Sequence, residues 1–249
     1  MANTKIPAEL SSTPGIIDNS NATAITIDSS ENVGIGVTPS AWGSSSIALQ
    51  IGSLALEDFS VVGANASVFY NNAYRSDASG TLRYVETDFA SSYSQFNGLH
   101  TFNVAASGTA GDTISFTQAM RIDNSGNLLV GTTDVDLGYT DGDTGVVASA
   151  NGVLQCARDS SFAPLYVQKL NNDGDLIEFN KDGSSVGSIA THDTRLAIGS
   201  DDTYIMFDSG GSPAIWPSNG TAALDNTIDI GDATRRFKDL YLSGGVYLG

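Results

Sequence analysis

The chain has 249 residues, 28 acidic against 11 basic, and a formal net charge of −17. Such a field repels polyphosphates and excludes nucleic acid as a partner, and the acids are dispersed through turns, where they keep loops solvated. The single cysteine, Cys156, cannot form an intrachain disulfide, and no apolar stretch is long enough to cross a membrane as a helix.

Residues 1–24 are polar and rich in Ser, Asn and Pro, and read as an extended N-terminal attachment segment with one helical turn expected at Ile6–Leu10. No positive stretch followed by an apolar run opens the chain, so synthesis in a cytoplasm without secretion is expected. Residues 25–46 hold a first hairpin and a linker that carries Trp42. Across 47–133 the strands lengthen and aromatics gather, from Phe59 through Tyr93 to Phe116, which predicts a small antiparallel meander or sandwich closed by a second hairpin at 120–133. Residues 134–145 form an exposed linker. Residues 146–249 alternate short apolar runs with Gly, Asp and Ser turns, and read as a C-terminal β shaft region. A second helical turn is expected at Ala233–Leu240, with Asp232 as its N-cap.

Two hairpins are written almost identically. Ile25, Ile27, Asp28, Ser30, Asn32, Val33, Ile35 and Gly36 fall on Met120, Ile122, Asp123, Ser125, Asn127, Leu128, Val130 and Gly131 without a gap. Each copy alternates apolar and polar residues on both sides of a polar turn, so one side of each arm meets something dry. Asp28 and Asp123 can accept hydrogen bonds from backbone N–H groups just ahead, and Asn32, Gly126 and Asn127 tolerate left-handed backbone. Looser copies follow at Leu176–Ile189, with Asp182-Gly183 in the turn and one extra residue expected as a bulge, at Tyr204–Ser218, and at Ile228–Gly249. The spacing is irregular, which excludes a solenoid of fixed period.

An isolated hairpin is marginal in water and leaves unpaired edges. Three copies about a threefold axis would lay the apolar sides inward and pair the edges, and a rod lengthens by repeating a cross-section. The expected architecture is therefore all-β with almost no helix: an elongated, intertwined homotrimer of short hairpins with a small antiparallel meander or sandwich inserted.

The phrases "MANTKIPAELSSTP", "ITIDSSENVGIG", "AMRIDNSGNLLVGTT", "LIEFNKDGSSVGSI" and "RRFKDLYLSGGVYLG", taken in order, resemble those of tail-fibre and related virion fibre proteins of tailed bacteriophages, many of them from aquatic phages. The resemblance touches both ends and the middle. It implies a β-rich homotrimer made in the host cytoplasm and located in the virion, with the N-terminus docked on another virion protein of the tail, baseplate or capsid. Distal parts would meet the host surface, in some cases a glycan. Longer relatives often continue past the "DLYLSGG" phrase into a receptor-binding or self-cleaving chaperone domain. The expected function is a non-enzymatic structural fibre or fibre segment for host attachment or connection to a receptor-binding tip. A capsid head fibre or decoration protein is the alternative, and a tailspike depolymerase is disfavoured because it would need a regular β-helix and a chosen pair of acids. A secreted adhesin would need a secretion signal.

Candidate chemistry is sparse, and no cofactor is expected. Asp141–Gly145 and Asn171–Asp175 hint at calcium loops, but the first has Gly152 where an EF-hand needs its bidentate Glu and neither leads into a helix. Cys156 would need His100 or His192 beside it to act as a nucleophile. "NVGIGVTP" follows a turn and precedes no helix, so it is no dinucleotide loop. Tyr70, Asn72 and Tyr74, read as one face of one strand, are candidates for glycan contact. Arg235, Arg236 and Lys238 form the only basic cluster; it would meet an acidic surface or, as the favoured reading, pair with Asp232, Asp239 or acids of a neighbouring protomer.

Overall fold

The computed structural model describes residues 15–17, 23–61, 64–138, 143–208, 210 and 213–246. Among them the fold is all-β, with no helix. Contacts divide the chain into two units, Met1–Pro164 and Leu165–Gly249.

The first unit is one long ladder. Its strands are β1 (Gly15–Ile17), β2 (Thr23–Ile27), β3 (Val33–Ile35), β4 (Ser46–Ile51), β5 (Leu54–Val61), β6 (Ala64–Asn71), β9 (Asp88–Phe96), β10 (Leu99–Gly108), β11 (Thr117–Ile122), β12 (Leu128–Val130), β13 (Gly145–Ala148) and β14 (Leu154–Ala157). They lie side by side in sequence order. Every pairing is antiparallel except β3 with β4, where the 36–45 connection returns the chain in parallel. The ladder is interrupted once, by the hairpin β7 (Ala73–Arg75) and β8 (Leu82–Tyr84), which leaves the sheet between β6 and β9 and forms its own two-stranded sheet. A meander is thus present, and both repeated hairpins belong to its sheet. The sheet also crosses the 134–145 linker, because β12 pairs with β13, so the boundary between units falls at Pro164 and not at the linker.

Alternation along the strands sends side chains to two sides of this sheet. One side is covered. Trp42, β7–β8 and the 106–116 segment lie over it and bury Ala48, Ala55, Ala66, Val68, Tyr70, Ala90 and Ala105. Alanine dominates the sheet's share of this core, while Trp42, Tyr84 and Ile114 supply larger side chains from the cover. A second, smaller cluster joins Leu129, Leu137 and Val147.

The second unit is a five-stranded meander of β15 (Gly174–Lys181), β16 (Ser184–His192), β17 (Arg195–Ser200), β18 (Thr203–Asp208) and β19 (Ala214–Ser218), again in sequence order. The expected hairpin at Asp182-Gly183 forms, both residues having positive φ (51° and 81°), and the ladder slips twice, at Asp175/Ile177 and at Phe179/Asn180, where one bulge was expected in this hairpin. Ala190, Ala197 and Met206 are buried on one side.

Two expectations fail. Residues 225–246 form no strand, so the last hairpin-like unit does not close within the described residues. Ala233–Leu240 forms no helix. The Asp232 carboxylate does accept from the Thr234 and Arg235 N–H groups, but the Asp232 N–H turns back to the Arg235 carbonyl and closes a tight turn instead. Asx capping serves a turn as well as a helix, and nothing packs here to choose the helix. The turn expected at Ile6–Leu10 lies outside the described residues.

Candidate functional site

The two repeated hairpins are the same device built twice. In the first, Asp28 Oδ1 accepts from the Ser30 and Asn32 N–H groups at 2.8 and 2.9 Å, and Asn32 Nδ2 donates to Asp28 Oδ2 at 2.9 Å. In the second, Asp123 Oδ1 accepts from Ser125 and Asn127, both at 2.9 Å, and Asn127 Nδ2 donates to Asp123 Oδ2 at 2.8 Å. The fourth turn position is left-handed in both, Glu31 at φ 67° and Gly126 at φ 86°. The remaining amide oxygen of each asparagine reaches forward in the chain. Asn32 Oδ1 accepts from the Ala48 N–H on β4, and Asn127 Oδ1 accepts from the Ala150 N–H just beyond β13, each at 2.9 Å. Each motif is a clasp that closes its own turn and holds the next part of the ladder.

A third copy closes β7–β8, where Asp77 Oδ1 accepts from the Ser79 and Thr81 N–H groups at 3.0 Å, with Thr81 in place of the asparagine. These bonds hold the carboxyls below their ordinary range. At Asp123 the largest cause is the Asn127 side-chain bond; at Asp28 burial works upward and the bonds from Asn32 and Ser30 outweigh it.

The clasps set the register of the uncovered side of the sheet. One row of registered partners runs Val33, Leu49, Leu56, Phe69, Tyr93, Phe102, Met120, Val130, Val146 and Cys156, one residue from each of the ten ladder strands from β3 to β14. Flanking rows place Ile47, Ile122, Leu128 and Leu154 on one side of it and Ile35, Ile51, Leu54 and Val104 on the other. These large side chains are open to solvent: Ile47 is 58% exposed, Phe69 49%, Val104 50% and Leu154 66%. Taken together, the large apolar residues of the three rows leave about 1,000 Å² of apolar surface uncovered, roughly twice the largest patch of an ordinary monomer. No lysine or arginine lies in these rows, and their ionisable groups are Asp58, Tyr93, His100 and Cys156. A shallow hollow in this face is lined by Leu54, Phe69, Ser91, Tyr93, Phe102 and Val104. The second unit repeats the theme, with Leu196, Ile198, Ile205, Phe207 and Ile215 exposed on one side of its meander.

The residues singled out from the sequence lie elsewhere. Tyr70 and Asn72 are 2% and 3% exposed. Tyr70 OH donates to Glu57 Oε2 at 2.8 Å and accepts from Arg75 at 3.1 Å, while Arg75 Nε donates to Glu57 Oε1 at 2.9 Å and Ser46 Oγ donates to the same carboxylate oxygen. Burial and the Glu57 carboxylate push the Tyr70 phenol far above its ordinary value. Burial opposes the Arg75 charge, but Tyr70 and Glu57 more than offset this and raise its pKa. Asn72 donates to the Glu86 and Phe89 carbonyls and accepts from the Glu86 N–H, bracing the point where the chain leaves the sheet. Tyr74 is on β7, half-buried against Trp42 at 6.1 Å between ring centroids. The three are not one strand face: β6 ends at Asn71, and the left-handed Asn72 redirects the chain. Their surroundings make them structural groups rather than a surface open to a glycan.

Arg235 pairs with Asp232 at 2.9 Å and Lys238 with Asp239 at 3.6 Å, all of them well exposed, and Arg236 is exposed beside them. Cys156 and His100 are four strands apart in the ladder, about 19 Å, too far for a thiol–imidazole pair. Among the described residues no group of three or more His, Cys, Asp or Glu could hold a metal ion. Asp173, from the second candidate calcium loop, accepts from the Asp193 N–H; part of the first loop lies outside the described residues. Comparison with known proteins finds no matching family model, no matching curated protein and no matching solved structure.

Proposed function

We propose that this chain is a non-enzymatic structural segment of a virion fibre, assembled as a homotrimer and used for host attachment or to connect to a receptor-binding tip. The uncovered apolar face carries this reading. Its occupant is two further copies of the same chain. Three such faces meeting on a common axis would give each protomer about 1,000 Å² to bury, above the ~800 Å² per partner of a stable interface. A partner must also match a ladder of twelve strands, roughly 50 Å along its stacking direction, and another copy in the same register does so by construction. The order of strands supports a rod: with neighbours in sequence also neighbours in the ladder, each added hairpin extends the same cross-section. The resemblance of the sequence phrases to phage fibre proteins supplies the virion context, with the N-terminal segment as the attachment to another virion protein.

Sedimentation velocity or mass photometry of the purified chain tests the assembly, with three copies expected. Phe69→Glu places a charge at the middle of the face without touching the covered core; it is expected to give a monomer with unchanged strand content by circular dichroism. A wild-type monomer at micromolar concentration, or a trimer indifferent to this substitution, refutes the reading. Immunogold labelling of particles tests the location, and the absence of label from virions refutes that part.

A further inference from the structure

His100 is the one histidine of the apolar face, and its setting is specific. It occupies the row that holds Ile47, Ile122 and Leu128, and its registered partners are Gln95 on β9 and Ile122 on β11. Its Nδ1 is 2.6 Å from Tyr93 OH, the two rings stack at 6.1 Å with an interplanar angle of 24°, and Tyr93 stacks in turn on Phe102 at 4.7 Å. Within its own copy the groups facing it are therefore a phenol, an amide and aliphatic carbon. The carboxylate in its row, Asp58, is three strand positions away, and Asp123, which follows Ile122, is bound in its clasp.

Resting on the assembly reading above, we propose that His100 makes the homotrimer contact proton-sensitive: the face associates when the imidazole is neutral and releases when it is charged. Neutral His100 can accept from Tyr93 OH through Nδ1, which satisfies both groups inside an apolar contact. Protonation makes Nδ1 a donor, so the phenol must turn its own hydrogen away and seek another acceptor on a face that offers few. It also places a full charge between packed aliphatic and aromatic surfaces, with no carboxylate beside it to compensate. In the free protomer the same imidazole is partly open to water, without a second copy packed over it. Protons are therefore taken up on dissociation, one per copy, and in the acid limit the trimer association constant falls by up to about 1,000-fold per pH unit. Histidine is the side chain whose ordinary titration range makes such a switch possible near neutrality.

The test is sedimentation velocity of the full chain at about pH 7.5, 6.5 and 5.5, a window in which surface carboxylates stay ionised. Three proteins are compared: wild type, His100→Gln, which keeps a neutral hydrogen-bonding side chain, and His192→Gln, which removes the other histidine, on β16. The wild type and His192→Gln are expected to lose trimer together as the pH falls, while His100→Gln remains trimeric throughout. A wild-type trimer of constant affinity across the window, or equal acid loss in His100→Gln, overturns the proton switch and leaves the assembly reading standing. A wild-type chain that is monomeric at every pH overturns both.

Discussion

At the residue scale, Asn32 and Asn127 show how much one amide can join. Each closes its own turn through the Asp carboxylate and holds the next part of the ladder through its other atom. Asn127→Ala removes both bonds and leaves the Ala150 N–H without that partner, so it is expected to cost about 1–3 kcal/mol of unfolding free energy, read by denaturant titration. Asn127→Asp keeps the acceptor but sets a second carboxylate against Asp123, and is expected to be worse than Ala at neutral pH. The pH dependence has a definite sign. The carboxyls of Asp28 and Asp123 are depressed in the folded chain, so their contribution is complete above the ordinary value of 3.8 and is lost as pH falls through the lower folded value. Asn127→Ala should accordingly flatten part of the loss of stability seen below about pH 4. The turn chemistry was legible in the sequence, because Asp at the start, Ser two on and Asn four on are the residue types that bond to nearby backbone. The forward bonds to Ala48 and Ala150 were not, since they join residues 16 and 23 positions apart.

At the element scale, the hairpin β7–β8 forms a two-stranded sheet of its own, apart from the ladder that its neighbours β6 and β9 continue. Its strands look like any others, but Asn72 at φ 59° takes the chain off the sheet, and Glu57, buried on β5, receives Arg75 from the hairpin. A buried carboxylate is tolerable only with its cation present. Arg75→Met is therefore expected to destabilise the first unit by about 3–5 kcal/mol, and Glu57→Gln in the same chain to restore much of the loss, since the double variant buries no unpaired charge. Thermal unfolding of the single and double variants measures this; equal stability of the two would refute it. Strand alternation disclosed which residues share a side of the sheet. Alternation does not disclose which side is covered. The cover is made by Trp42, the hairpin and the 106–116 segment, which come from separate parts of the chain, and they lie over the side of Ala, Ser and Gln rather than that of Leu, Ile and Phe.

At the scale of the whole molecule, the net charge of −17 opposes the association proposed for the apolar face. The rows on that face carry few ionisable groups, so the repulsion between copies acts from outside the contact, through solvent, where salt screens it. Trimer affinity is expected to rise as ionic strength goes from about 50 to 500 mM, the opposite of a contact held by ion pairs; sedimentation equilibrium across that range would detect the sign.

The order of strands in the first unit has a kinetic consequence. Nearly every pairing joins a strand to the next one in the chain, so few long loops have to be closed before the ladder becomes worthwhile. A nascent polypeptide can zip from its amino end while the remainder is still being made, and the protomer's own sheet would then exist before it meets another copy. Refolding from denaturant should show a fast phase independent of protein concentration, followed by a slower one that accelerates as the protein is concentrated.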